Sequence, residues 1–249
     1  AFQEIDMIGV SRPTVKHSYM VKRPEDIAET IAKAFYIAST GRPGPVVVDV
    51  PKDVTDPNNK VAYKFPEKVK LRSYQPTTRG HSGQIKRAVN LLISAKRPVI
   101  YSGGGVVQGN ASEQLRALAH RLNYPVTNTL MGLGAFPGTD RQFVGMLGMH
   151  GTFEANTAMH HADVILAVGA RFDDRVTNAT ERFCPSAKII HIDVDPSSIA
   201  KTVRADIPIV GPCDVVLSDM LDQIQQADLQ IDEPAIGEWW QQIEEWRNR

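Results

Sequence analysis

The run Val164-Ile-Leu-Ala-Val-Gly-Ala-Arg-Phe-Asp-Asp-Arg175 carries the clearest structural signal in this chain. Its first five residues are apolar, which is typical of a strand buried on both faces, and Gly169 then ends the strand. At the carboxyl end of a parallel strand, glycine lets the backbone approach a ligand, and nearby arginines and aspartates can meet phosphates and ribose hydroxyls. The run therefore predicts a nucleotide site at a strand end, with a charged surface turn as the alternative interpretation.

Strands and helices alternate around this run. Apolar residues at helical spacing predict helices over residues 84–95, 111–122, 153–161 and 214–226. Short apolar runs predict strands over residues 46–50, 98–102, 125–130, 163–168 and 187–193. Because these strands are continuously apolar, both faces of their sheet must be covered, and the sequence predicts an α/β fold with a doubly wound parallel sheet.

Changes in composition divide the chain into four predicted parts. These are a first domain at 1–59, a linker rich in proline and lysine at 60–80, a second domain at 81–226 and a terminal segment at 227–249. Trp239 and Trp246 share one face of a predicted helix in the terminal segment. Since that face would otherwise be exposed, we expect the helix to lead toward a further domain outside this chain.

The overall composition excludes several classes of protein. Lys plus Arg and Asp plus Glu each number 28 among 249 residues, so no net field attracts nucleic acid or an anionic membrane. No apolar run approaches transmembrane length, and the amino terminus does not resemble a signal peptide. Cys184 and Cys213 form no disulfide or metal pattern, and we expect no metal site. These features favour a cytoplasmic protein, or an organellar one in a eukaryote, and not a secreted one.

Two further patterns point to ligand recognition, each with an alternative. Gly103, Gly105 and Gly109 follow a predicted strand as GxGxxxG, which is a weak dinucleotide signature and equally a tight turn. Asp193 and Asp195 close another strand, where ribose contact or capping is favoured over a metal site.

Two loops rich in glycine and methionine, Met131–Pro137 and Gly145–Gly151, suit a flat aromatic ligand, although flexible core packing also explains methionine. Arginines flank Asp173 and Asp174 and should keep these carboxylates ionised, which excludes general acid catalysis. No nucleophile elbow is present, so the chain shows recognition elements without an evident reaction centre.

In their order along the chain, these segments resemble the catalytic large subunit of acetohydroxyacid synthase, also called acetolactate synthase. The resemblance covers nearly the whole chain and rests on Ala1-Phe-Gln-Glu4, Lys16-His17, Gly41 to Lys52, Ser102-Gly-Gly-Gly105, Leu130-Met-Gly-Leu-Gly134, Met146 to Gly151, Arg171 to Arg175 and His191-Ile-Asp193. It implies a fragment that contains the end of the amino-terminal domain and the Rossmann-like central FAD-binding domain. The family's thiamine-activating glutamate and its diphosphate and magnesium motif are expected before Ala1 and after Arg249.

The resemblance also implies a set of site residues. FAD contacts are expected at Arg42, Gly103, Gly104, Gly105, Leu130, Met131, Met149, His150, Gly169, Arg171, Asp173, Arg175 and Asp193. Residues near the substrate channel are expected at Phe2, Gln3, Lys52, Met149, Asp174 and Arg175.

The family condenses two pyruvates, or pyruvate and 2-ketobutyrate, in branched-chain amino acid biosynthesis, with FAD as a structural cofactor. Thiamine diphosphate and Mg²⁺ would belong to the full-length parent, a homodimer or homotetramer with a small regulatory subunit, and the fragment alone should be inactive. Related FAD-bearing enzymes, such as a glyoxylate carboligase or a thiamine-dependent oxidase, are the nearest alternatives. A nicotinamide-binding oxidoreductase domain and a non-catalytic nucleotide-binding or assembly module are alternatives of other classes.

Overall fold

The structure, a computed structural model, describes residues 4–249 and contains two compact units. The first unit extends to Pro76 and the second covers Thr77–Arg249.

The first unit pairs two strands in parallel beside a helix. In chain order it contains α1 (Met7–Ser11), β1 (His17–Met20), α2 (Ile27–Ser39) and β2 (Val46–Asp49), with a 3₁₀ turn at Pro24–Asp26. His17 of β1 aligns with Val46 of β2. The Lys16 ammonium donates to the carbonyls of Ile37 and Thr40, both at 2.6 Å, and so satisfies acceptors at the carboxyl end of α2.

The second unit is built on one six-stranded sheet. Its strands are β3 (Pro98–Ser102), β4 (Val126–Asn128), β5 (Phe143–Met146), β6 (Val164–Val168), β7 (Lys188–Asp193) and β8 (Ile207–Val210). All neighbours pair in parallel, in the order β5-β4-β3-β6-β7-β8. The strand order reverses between β3 and β6, which defines the switch point of a doubly wound sheet. The predicted α/β fold class is confirmed.

Helices cover this sheet, and their sequences explain where they begin and end. They are α3 (Ser82–Ile93), α4 (Gly104–Gln108), α5 (Ser112–Leu122), α6 (Phe153–His161), α7 (Asp174–Thr177), α8 (Cys213–Gln226) and α9 (Glu233–Arg247). Apolar residues at steps of three and four bury one side of α5, and Asn123 ends it in the left-handed conformation. The Thr152 hydroxyl accepts from the amide of Ala155 and caps the start of α6. Helix α8 contacts α3 and α5, whereas α9 contacts α6.

The tryptophans of α9 are buried within the second unit, so the premise that their face would otherwise be exposed was wrong, and the continuation of the helix toward a further domain stays a prediction. The indole N–H of Trp239 donates to the Pro98 carbonyl at 3.0 Å, and that of Trp240 donates to Asn123 at 2.8 Å. Trp246 stacks on His161 with 5.6 Å between ring centroids. Helix α9 therefore completes the core of the second unit.

Strands β1, β5 and β8 were not predicted, and Asp195, for which capping was one interpretation, begins a turn. Strands β5 and β8 are the two edges of the sheet, and each contains a residue that weakens a strand pattern, Gly145 and Pro208. Strand β1 is rich in polar residues. Within residues 4–249, no helix is long and apolar enough to cross a membrane.

Replacing Trp239 by alanine should lower the free energy of unfolding of the second unit by about 3–5 kcal/mol. The substitution leaves a large cavity under α9 and removes the hydrogen bond to Pro98. Urea denaturation followed by circular dichroism measures the change. Gln242→Ala, on the exposed side of the same helix, should stay within about 0.5 kcal/mol of the original chain. Equal midpoints for both variants would contradict the core role of α9.

Candidate cofactor-binding site

Predicted site residues of the second unit gather at one edge of its sheet. They lie at or beyond the carboxyl ends of five adjacent strands: Gly103, Gly104 and Gly105 after β3; Leu130 and Met131 after β4; Met149 and His150 after β5; Gly169, Arg171, Asp173, Asp174 and Arg175 after β6; and Asp193 at the end of β7. Parallel strands end at the same edge, so residues far apart in the sequence surround the β3–β6 switch point. Open α/β sheets bind ligands in the crevice at such a switch point, outside the carboxyl ends of the strands.

The loops after β3 and β6 touch through their backbones at the bottom of the crevice. The amide of Gly103 donates to Val168 at 2.9 Å, and the amide of Gly105 donates to Gly169 at 3.1 Å. A Cβ on Gly105 would lie 2.7 Å from the Cα of Gly169, whose own φ is +57°. Glycine is therefore required for the contact between the loops. The tight-turn interpretation explains these glycines without any ligand, and the same contact shapes the crevice.

Exposed apolar side chains are concentrated in the segments at this end of the sheet. Every large hydrophobic side chain that is exposed in residues 77–249 belongs to the segments after β3, β4 and β5: Val107, Leu130, Met131, Leu133, Met149 and Phe153. Leu130 and Met131 are 69% and 73% exposed, although the rest of the unit buries such residues. A concentrated apolar surface of this kind marks a binding site. Sequence analysis identified the loops at 131–137 and 145–151, but missed Val107, which follows the glycine turn, and Phe153, which begins a predicted helix.

A charged segment borders the apolar surface. The Arg171 guanidinium lies 3.9 Å from the Asp173 carboxylate, and Asp173 caps α7 by accepting from the amide of Arg175 at 3.1 Å. That amide lowers the pKa of Asp173, and the charges of Arg171 and Arg175 lower it further. The carboxylate stays ionised, as predicted, although the backbone amide contributes more than the flanking arginines. The amide of Met149 donates to the Arg175 carbonyl at 3.2 Å and joins the two loops.

Asp193 lies where β7 ends and is 7% exposed. One of its carboxylate oxygens accepts from the amide of Asp195 at 2.8 Å, and Asp195 in turn accepts from the amide and hydroxyl of Ser197. Both carboxylates therefore cap the turn after β7. Among the described residues, no group of His, Cys, Asp or Glu could hold a metal ion.

The remaining predicted residues lie in other parts of the chain. Arg42 and Lys52 are exposed in the first unit, on either side of β2. Phe2 and Gln3 lie outside the described residues.

Both cysteines are buried free thiols. Burial raises the pKa of Cys184 and Cys213 to about 12, so neither is a thiolate nucleophile. Cys184 lines a cavity of about 300 Å³ between α6 and the segment at 176–184. Met159, Val176 and Phe183 also line this cavity. Leu147 extends the lining to the loop after β5, so the cavity adjoins the loops after β5 and β6.

Comparison with known proteins identifies the family. Residues 85–220 match the family described as thiamine pyrophosphate enzyme, central domain, which is more than half of the 249 residues. The chain belongs to the thiamine pyrophosphate enzymes. The central domain of the family thus corresponds to most of the second unit.

The chain is similar to acetolactate synthase large subunits. It is 58% identical over 247 residues to that of Haemophilus influenzae, covering 99% of this chain and 43% of the relative. It is 58% identical over 249 residues to the isozyme 3 large subunit of Escherichia coli, covering 100% of this chain and 43% of that relative. A probable large subunit of Methanocaldococcus jannaschii is 53% identical over 222 residues, covering 89% and 38%. These relatives confirm the resemblance based on the motifs, and the chain spans less than half of their length.

Replacing Gly169 by alanine should lower the free energy of unfolding by more than about 2 kcal/mol. The left-handed backbone alone costs about 1–2 kcal/mol for a residue with a Cβ, and the new methyl would lie 2.6 Å from the Cα of Gly105. Thermal and urea unfolding measure the loss. Gly138→Ala is the control, because no atom lies within 4 Å of its added Cβ. If both variants unfold like the original chain, the glycine contact is not a constraint on the fold.

Proposed function

We propose that this chain is the FAD-binding central part of an acetolactate synthase large subunit and also carries part of its substrate channel. One observation supports the cofactor most directly. Exposed apolar residues lie beside a charged segment at the switch point of a doubly wound sheet. A flavin dinucleotide has a flat isoalloxazine ring, a diphosphate and the hydroxyl groups of a ribityl chain and a ribose, and this surface matches that chemistry.

Each part of the surface has a proposed role. Leu130, Met131 and Met149 cover the flat ring, because flexible apolar side chains adapt to an aromatic face. The Arg171 guanidinium neutralises the diphosphate, and it extends from a short turn into solvent with 58% of its side chain exposed. Asp193 contributes its carboxylate near a ribose hydroxyl while it caps its own turn. FAD would serve as a structural cofactor and would bind together with Gly103, Gly104, Gly105, His150, Gly169, Asp173 and Arg175.

The parent protein would condense two pyruvates to 2-acetolactate and CO₂, or pyruvate with 2-ketobutyrate, in branched-chain amino acid biosynthesis. Thiamine diphosphate supplies the carbanion chemistry, with Mg²⁺ holding its diphosphate in the full-length parent. The residues in this chain would bind FAD and orient the substrates. Asp173 stays ionised and the thiols stay protonated, so these groups would not exchange protons with substrate near neutral pH. The chain alone should be inactive.

The parent is proposed to be a homodimer or homotetramer with a small regulatory subunit, since the Escherichia coli relative is named as a large subunit. A cytoplasmic or organellar location fits a biosynthetic enzyme. Lys52, Met149, Asp174 and Arg175, together with Phe2 and Gln3, are proposed to line the path of the 2-keto acids. The family match favours this function over a nicotinamide oxidoreductase domain or an assembly module.

Titration of the purified chain with FAD should give saturable quenching of flavin fluorescence, and Arg171→Ala should weaken binding about tenfold or more. A charge-assisted hydrogen bond of ordinary strength accounts for that factor. Arg204→Ala is the matched control. It removes the same charge from an exposed position just before the amino end of β8, whereas the candidate site lies at the carboxyl ends of the strands. FAD affinity should therefore stay unchanged. NAD binding in place of FAD, or equal losses in both variants, would contradict the proposed site.

A chimera tests the parent activity. The 249 residues of this chain would replace the matching residues of the Escherichia coli isozyme 3 large subunit, to which they are 58% identical. The chimera should form acetolactate from pyruvate with FAD, thiamine diphosphate and Mg²⁺ present. An Arg171→Ala chimera should need about tenfold more FAD for half-maximal rate. A folded chimera without activity would contradict the assignment as a synthase.

A further inference from the structure

His191 interrupts an otherwise apolar strand at the centre of the second unit. It lies in β7 between Ile190 and Ile192 and is 1% exposed. A polar side chain at such a position needs a hydrogen-bond partner. The His191 Nε2 lies 2.8 Å from the Ala170 carbonyl oxygen. Because a carbonyl oxygen only accepts, Nε2 carries the proton.

The other ring nitrogen of His191, Nδ1, indicates the charge state of the imidazole. Nδ1 has no hydrogen-bond partner within residues 4–249 and is buried. Burial also lowers the pKa of His191, although nearby Asp193 acts in the opposite direction. The imidazole is therefore neutral near pH 7, with a single N–H aimed at the loop after β6.

The loop that receives this hydrogen bond contains a strained aromatic residue. Phe172 has φ of +52° and is 1% exposed. A left-handed backbone is unfavourable for a bulky residue and persists only when its surroundings hold it. Three rings do so: His191 at 5.2 Å and 89°, Tyr101 at 5.5 Å and Phe183 at 5.9 Å between centroids.

This conformation separates the side chains of the loop. Phe172 points into the core, while Arg171 and Asp173 on either side are 58% and 50% exposed. Both charged residues are exposed in the loop at the carboxyl end of β6, with 3.9 Å between the guanidinium and the carboxylate. A rotation of Phe172 out of the core would redirect both of them.

We infer that His191 is a positioning residue: its N–H to Ala170, more than the packing of its ring on Phe172, holds the turn that points Arg171 and Asp173 toward the bound nucleotide. The nucleotide is the FAD of the proposed function, on which this part rests. The effect on the turn itself does not depend on any ligand.

Two variants distinguish the contribution of the His191 N–H from that of its ring. His191→Phe keeps a flat ring and removes the donor, which leaves the Ala170 carbonyl unpaired. His191→Gln keeps an Nε2 donor and removes the ring. The amides of Val176 and Thr177 report the turn, since both donate to the Asp173 carbonyl at 3.0 Å.

In His191→Phe, hydrogen exchange at Val176 and Thr177 should accelerate about fivefold to tenfold, the factor expected for one lost hydrogen bond. Amides within β3 and β6 should exchange as in the original chain. FAD affinity should fall about fivefold, and His191→Gln should recover most of both losses. Unchanged exchange in His191→Phe, or a glutamine variant no better than the phenylalanine variant, would overturn the inference.

A measurement on the unaltered chain covers the case in which the variants do not fold. Nitrogen-15 NMR of labelled histidine at pH 7 should show a neutral imidazole at position 191 with the proton on Nε2. A proton on Nδ1, or a charged ring, would overturn the inference. Failure of the original chain to bind FAD would contradict the proposed function alone, because the exchange and tautomer results do not involve the cofactor.

Discussion

The contact between Gly105 and Gly169 is the constraint on which the second unit depends. They lie just beyond the two strands at the switch point, and their backbones approach so closely that a Cβ on either would overlap the other. The hydrogen bonds of Gly103 and Gly105 to the β6 loop extend the pairing of β3 and β6 beyond the strands. Without this contact the loops after β3 and β6 would separate, and the shape of the crevice between them would change. One backbone contact therefore serves the fold and shapes the candidate site.

Buried polar groups set the directions of the loops around this contact. The Ser102 hydroxyl is hydrogen-bonded to the Asn128 side chain between the last residues of β3 and β4. His191 acts in the same way between β7 and the loop after β6. Each pair is buried, so breaking it would leave a polar atom with neither a protein partner nor water to hydrogen-bond to. Such pairs select one arrangement of a strand end where apolar packing alone would allow several.

The sequence predicted what depends on local pattern. Continuous apolar runs identified the four most buried strands, and glycines and charges marked where β3 and β6 end. Strand order and the glycine contact could not be predicted in this way, since Gly105 and Gly169 meet only after the chain has folded. The burial of Trp239 was missed for the same reason, because its partner Pro98 lies 141 residues away. His191 did carry a signal, a polar residue within Ile-Ile-His-Ile, but the pattern gave no indication of its partner.

The chemistry of the site separates recognition from reaction. The Asp173 carboxylate is ionised and accepts from the amide of Arg175, the buried thiols of the second unit are protonated, and His191 in the core is neutral and already donates. None of these groups has a pKa near neutrality together with access to solvent, which general acid or base catalysis requires. Apolar side chains and guanidinium groups, by contrast, are exposed at the crevice. A surface of this composition suits the binding and orientation of a nucleotide, which is the role proposed for it.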